Sequence, residues 1–147
     1  MPRSETLICD TSFVSHMWRR LRAPARYEHW DAKTIDRVET AILSISVVTI
    51  AETRAGYLRA HWGGTMIEAA EQRLQRFHPI PVRRRYANEW ARLRAAARTA
   101  GIAISDNDLW IAATASRREQ VLVTCDRDHV RIAPELGVEV LFLAPPV

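Results

Sequence analysis

Lysine is almost missing from this chain. Lys33 is the single lysine among 21 basic residues, and the others are arginines, whose planar fork suits bidentate contact with phosphate. A GC-rich gene by itself also yields abundant Arg and Ala. Cysteine is nearly as scarce: Cys9 and Cys125 stand alone and lack metal-type spacing, which excludes a disulfide scaffold and a thiolate zinc site. Both read as small, reduced, apolar residues ending strands. No apolar run approaches the roughly 18 residues of a membrane span. The polar lead from Met1 to Thr6 lacks the long apolar stretch of a secretory signal, so the expected place is the cytoplasm, with no membrane partner. His16, His29, His61, His78 and His129 are scattered, and no metal or catalytic role is expected for any of them. There is no internal repeat, low-complexity stretch or linker, so residues 1–147 read as one domain. A composition of 48% hydrophobic and 26% charged residues is ordinary for a folded globular chain.

What is present is a regular alternation of short apolar runs and helical stripes. Leu7-Ile8-Cys9 predicts a buried strand, with Asp10-Thr11-Ser12 at its carboxyl end capping a helix through Val14, Met17, Trp18 and Leu21 that stops before Pro24. Ile35, Val38 and Ile42 carry helical spacing, and Leu43 to Ser46 predicts a second strand. Ser46 caps a helix with a stripe of Ile50, Ala51, Ala55 and Leu58. His61 to Gly64 reads as a flexible loop, and Thr65 as the cap of a helix through Ile67, Ala70, Leu74 and Phe77. The prolines confine Pro79-Ile80-Pro81-Val82 to a sheet edge or a loop. Tyr86 to Ala100 is helical and ends at Gly101, and Ser105 opens a helix from Asp106 to about Arg118. The clearest strands are Val121 to Thr124 and Val138 to Leu143. Strands alternating with helices predict an α/β domain whose mainly parallel sheet is covered on both faces.

Ligands of such sheets bind beyond the carboxyl ends of the strands. Asp10 follows one strand directly and Asp126 follows Thr124, so both open onto the same edge. Asp108 heads the set Asp108, Ile111, Ala112, Ala115, which is one inward face of a helix, where a carboxylate is costly without compensation. Ser105 with Asp108 also resembles a capping box, a purely structural role that does not exclude a ligand role. Glu52 lies early in its helix, and Gly56 one turn on lets another backbone approach its face. Taken singly, Glu52 reads as a solvated acid and Asp126 or Asp128 as a turn former. Together, four acids at one edge repel one another unless a cation neutralises them, and oxygen ligands without a His or Cys cluster point to Mg²⁺ or Mn²⁺. Setting these four aside leaves 21 basic against 13 acidic residues, a basic body around an acidic pocket that suits a polyanion.

Four segments carry a resemblance. Ile8 to Ser12, Ser46 to Glu52, Asn107 to Ala115 and Leu122 to Asp126 resemble, in order, the four motifs of PIN-domain ribonucleases, and more narrowly the VapC toxins of VapBC toxin–antitoxin pairs. The resemblance covers nearly the whole chain. It implies a three-layer α/β/α domain, a divalent-metal-dependent endoribonuclease, a VapB-type antitoxin that occupies the active-site groove, and a homodimer. It implies Asp10, Glu52, Asp108 and Asp126 as the acidic set, with Asp10 and Asp108 as direct Mg²⁺ or Mn²⁺ ligands. Thr11 and Thr124 are implied as supporting hydroxyls, with Asp106 and Asp128 nearby but outside the set. The aromatic expected just after the fourth acid is absent, and His129 stands in its place. Three rivals share parts of the pattern. A phosphoacceptor receiver domain needs a late lysine, and none follows Lys33. A catalytically inactive PIN-like binding module would lack one or more of the acids, and all four are present. A DNA nuclease of the same architecture is separable only by substrate. Most tryptophans read as core or interface residues, and Trp62, beside Gly63-Gly64, is the one placed to stack on a base.

Overall fold

The structure is a computed structural model and describes residues 4–147, so the first residues of the polar lead lie outside it. Strands β1 (Thr6–Cys9), β2 (Ile42–Ser46), β3 (His78–Ile80), β4 (Val121–Thr124) and β5 (Val140–Phe142) form one sheet in the order β3-β2-β1-β4-β5. Every pairing is parallel, and Cys9 at the centre lies opposite both Ile45 and Val123. All five strands therefore end at the same edge. The chain first builds outward from β1 to β3 and then returns to place β4 on the other side of β1. The two directions of winding part at β1 and β4, and this is where a crevice opens beyond the strand ends.

Seven helices cover the sheet: α1 (Thr11–Arg22), α2 (Ala32–Thr40), α3 (Val47–Arg59), α4 (Gly64–Leu74), α5 (Ala87–Ala100), α6 (Asp106–Arg118) and α7 (Arg127–Ile132). The pleat of β1 divides the core in two. Leu7 and Cys9 enter one layer with Phe13, Val14, Trp30, Val38 and Leu74, while Ile8 enters the other with Leu93, Leu109, Ile111 and Ile132. This is the three-layer α/β/α arrangement. In α6 the small side chains of Ala112, Ala113 and Ala115 are completely buried. They let the helix lie close against the sheet and α5, which carries Asp108 to the strand ends.

Side-chain caps start the helices that matter for the site. Asp10 accepts from the Phe13 amide, Ser46 from Val48 and Ser105 from Asp108, and Gly101 ends α5 in the left-handed region at φ 69°. Five local expectations need correction, the first being the helix through Phe77, since α4 stops at Leu74. Ile42 begins β2 rather than closing the preceding helix, because Ala41 is already extended at φ −83°, ψ 163°. The loop expected through Gly64 is shorter, since Gly64 is the first residue of α4 and Gly63, not Thr65, stands at its cap. The last strand is confined to Val140–Phe142. Beyond Asp126 the chain forms α7 rather than a plain turn. Short β3 does lie at the sheet edge, where Pro79 is tolerated.

Candidate active site

Asp10 sits at the bottom of the crevice and is fully buried. Its Oδ1 accepts from the Phe13 amide at 2.8 Å and the Ser12 hydroxyl at 2.7 Å. Its Oδ2 accepts from the Thr124 hydroxyl and faces His129 Nδ1 at 2.9 Å. Four donors thus fill the acceptor directions of both oxygens. The acid that follows β1 is tied at once to its own helix, to the end of β4 and to α7.

His129 was not among the residues expected here. It is completely buried, and its Nε2 lies 3.2 Å from the Asp108 carbonyl oxygen and 4.0 Å from Asp108 Oδ1. Both ring nitrogens face groups that only accept, a carboxylate and a carbonyl, so the ring donates from both and carries a charge. Burial opposes that charge, but the hydrogen bond and charge of Asp10, with Asp108, outweigh it and raise the pKa to about 9. Asp126 caps α7 directly, and the first turn of that helix carries His129 back to Asp10 and Asp108. The other four histidines lie elsewhere. His16 meets the Tyr27 hydroxyl, His29 meets the Ala144 carbonyl, and His61 and His78 are exposed.

Asp108 reaches the site from the first turn of α6, where its amide donates to Ser105 Oγ at 3.1 Å. Ser105 therefore caps α6 through the Asp108 amide, and the Asp108 carboxyl faces the other acids. Burial pushes its pKa up, the charge of His129 pulls it back, and Asp126 and Asp10 push it up further. Asp126 caps α7 by accepting from the Asp128 amide at 2.9 Å. Asp128 itself is paired with Arg131 at 3.0 Å, and exposed Asp106 is paired with Arg94, so neither belongs to the cluster. Glu52 approaches from α3, where Thr11 donates to its Oε1 at 2.7 Å and Thr49 stands 3.1 Å from the same hydroxyl. Thr124 Oγ1 accepts from the Asp126 amide at 2.9 Å while donating to Asp10.

The four acids come from four separate elements, and hydrogen bonds through Thr124, His129 and Thr11 gather them in two groups. Asp10, Asp108, Asp126 and His129 form one, and Glu52, Thr11 and Thr49 form the other beside it. Among the described residues no three His, Cys, Asp or Glu side chains form a group arranged to hold a metal ion. Cys9 and Cys125 are free, buried thiols whose pKa burial pushes up, Asp10 adding to the effect, so both are inert as nucleophiles.

The comparisons decide the family. The profile of the PIN domain matches residues 7–134, which spans all four acids and His129. The chain belongs to the PIN-domain family. Among its relatives, ribonuclease VapC5 of Mycobacterium tuberculosis is 34% identical over 108 residues, 72% of this chain and 76% of that one. Ribonuclease VapC4 of the same organism is 37% identical over 100 residues, 64% of this chain and 73% of its own length. This PIN domain therefore falls with the VapC proteins. Its fold matches VapBC-5 of M. tuberculosis, a member of the VapBC family of toxin–antitoxin systems, with a TM-score of 0.66 and 26% identity over 93% of this chain and 98% of that one. VapBC-1 of nontypeable Haemophilus influenzae shares the fold at a TM-score of 0.74 and 19% identity over 94% and 98% of the two chains.

Proposed function

We propose that this PIN domain is the ribonuclease toxin of a VapBC-type pair and hydrolyses RNA phosphodiester bonds with the help of Mg²⁺ or Mn²⁺. One observation carries the reading: Asp10, Asp108 and Asp126 converge around His129 at the edge where the winding of a parallel sheet reverses, and Glu52, held by Thr11, opens onto a groove lined by arginines. Kinship to proteins named as ribonucleases supports RNA over DNA.

The donor set fits a hard cation in chemistry, since it offers carboxylate oxygens and hydroxyls and no thiolate. Asp108, Asp126 and Glu52 have acceptor directions to give. Asp10 does not, because a metal ligated by Asp10 has to replace one of its four donors. His129 is the one donor of the four that carries charge of the metal's sign. A bound divalent ion supplies Lewis acidity and a more acidic water. The chain's own residues do the rest. Thr11 and Thr49 fix the Glu52 carboxylate, Thr124 and Ser12 fix Asp10 and the turn to Asp126, and Ser105 fixes the first turn that bears Asp108. These constraints aim the acids without relying on mobile side chains. The same reading includes a VapB-type antitoxin that blocks the crevice, a homodimer, and a cytoplasmic location in keeping with two unpaired thiols. No helix of the described residues is long and apolar enough to cross a membrane.

The test is substrate choice. Purified chain with Mn²⁺ or Mg²⁺ is incubated with total cellular RNA, with single-stranded DNA and with duplex DNA, and new 5′ ends are mapped. Discrete RNA cuts that EDTA abolishes are expected. Cleavage of DNA alone would replace the proposal with a DNA nuclease of the same fold, and no cleavage of either would leave a binding module.

A further inference from the structure

A groove of about 340 Å³ runs away from the acids between α1 and α3. Thr11 and Glu52 stand at its inner end, and Arg22, Arg59 and Trp62 at its outer end. From Thr11 to Arg22 the α1 wall measures about 16 Å at the usual rise per residue. We propose that this groove is the track for a single-stranded RNA segment on one side of the cleaved phosphate. The arginines hold its phosphates, and Trp62 gives a base a surface to stack on. The inference rests on the ribonuclease reading and adds to it the form of RNA and its path to the acids.

Charge is the first support. Arg19, Arg22, Arg59 and Arg73 line the groove, Glu52 at the catalytic end is the one acid among the lining residues, and none of the four arginines makes a salt bridge among the described residues. Elsewhere Arg37, Arg54, Arg92, Arg94 and Arg131 are paired with acids. A run of bare guanidinium groups leading to carboxylates is complementary to a phosphate chain that ends at a bound cation. The aromatics are the second support. Half-buried Trp62 lies nearly parallel to Tyr57, with ring centroids 6.4 Å apart and 23° between planes, and Trp18 lies under Arg73 at 5.6 Å. Arg73 already covers one face of Trp18, which leaves half-buried Trp62 as the surface on which a base stacks.

Gly56 is the third support. It lies inside α3 and lines the groove. Glycine is the poorest helix former after proline, so its use here calls for a reason. The backbone supplies none, because φ is positive only at Gly101 and Gly137 among the described glycines. Packing supplies none either, since a Cβ at Gly56 would meet nothing within 4 Å. What the missing side chain preserves is the open floor of the groove, one helical turn from Glu52.

The experiment reads binding without cleavage. A fluorescein-labelled single-stranded RNA of mixed sequence is titrated with the chain in EDTA, and anisotropy is followed at low and physiological salt. Gly56→Leu is expected to melt no lower than wild type and to weaken RNA binding more than tenfold. Trp62→Ala is expected to weaken it about tenfold, within the range of one base stack. The double variant Arg22→Ala with Arg59→Ala is expected to lower the salt slope by roughly one unit or more. The same RNA as a blunt duplex is expected to bind more weakly to wild type. Wild-type binding by Gly56→Leu and Trp62→Ala would overturn the groove as the RNA path even in a chain that cleaves RNA. Binding that depends on the groove in a chain that cleaves nothing would remove the ribonuclease reading and leave the track. Variants that keep RNA but lose a co-expressed antitoxin would make the groove a protein-docking cleft and overturn the inference.

Discussion

Asp10 and Asp108 carry the same charge at the same strand ends, yet folding treats them oppositely. Asp10 has every acceptor direction filled and a charged histidine against it, whereas Asp108 is half-desolvated and gains less from its surroundings. Removing one member of a buried charge pair strands the other. In EDTA, Asp10→Asn is expected to destabilise the fold by about 3 kcal/mol. Asp108→Asn is expected to stabilise it by on the order of 0.5 kcal/mol. Chemical denaturation of the two variants checks this, and a stabilising Asp10→Asn would contradict the geometry at His129. At this scale the strand ends that bear Asp10 and Asp126 and the inward helix face headed by Asp108 were legible, whereas Glu52, in the second turn of α3, carries no such signal. His129 was not legible. Three residues beyond Asp126 it has no pattern of its own, and only the tight entry into α7 points it inward. Asp128 and Arg131 stand three apart, the spacing of a helical ion pair, which claims Asp128 once α7 is recognised.

The same contrast runs through the elements. Those bounded by a capping side chain and a stripe, such as α1 and α6, were legible to within a residue or two, whereas α3 was placed by its Ser46 cap alone, because Ala51, Ala55 and Leu58 of its expected stripe are exposed. Where the errors fell, two signals overlapped. Val38 and Ile42 are four apart, so the helical period runs on into a residue that pairs with Thr6 in the sheet. The glycine pair before α4 reads as a loop, and one of its members is helical because α4 has no side-chain cap. At the amino end of the sheet, away from the acids, Arg37 of α2 clamps Glu5, next to β1, at 2.6 Å and Glu139, next to β5, at 2.9 Å. The hydrogen bond from Arg37 holds both carboxyls below their usual range, burial working weakly against it. A depressed carboxyl pKa gives stability that is present above the ordinary value and is lost as pH falls through the lowered one. Arg37→Ala is therefore expected to cost about 1 kcal/mol near neutral pH, less in high salt because the groups are part-exposed, and almost nothing below pH ~3. Melting curves of both proteins across pH 3 to 7 test it, and a gap that stays constant with pH would show that Arg37 acts through packing alone.

For the whole molecule, winding direction matters more than any single motif. Parallel order, a reversal at β1 and β4, and two cores divided by the pleat place all four acids on one edge, and an otherwise basic body surrounds them. The layer count and the parallel sheet were legible because apolar runs alternate with helical stripes. The groove between α1 and α3 was not legible, because the two helices are distant in sequence and come together only once β1 and β2, which they follow, pair in the sheet. Metal binding belongs to this scale as well. An ion that binds only the folded state raises stability with concentration. Mn²⁺ is expected to raise the wild-type melting temperature by several degrees between trace and millimolar levels, and to raise that of Asp108→Asn by less. Equal shifts would make Asp108 a helix cap and nothing more.

The most direct measurement is the rate of RNA cleavage by wild type, Asp108→Asn and Asp126→Asn, each with saturating Mn²⁺ and each with EDTA, on one RNA that wild type cuts. If the four acids form one metal-dependent centre, both variants lose at least about a hundredfold, the scale of losing one group that positions charge in a transition state. Wild type in EDTA then falls to the uncatalysed rate, and circular dichroism shows all three chains folded. Full cleavage by Asp108→Asn, or wild-type cleavage that persists in EDTA, would contradict it.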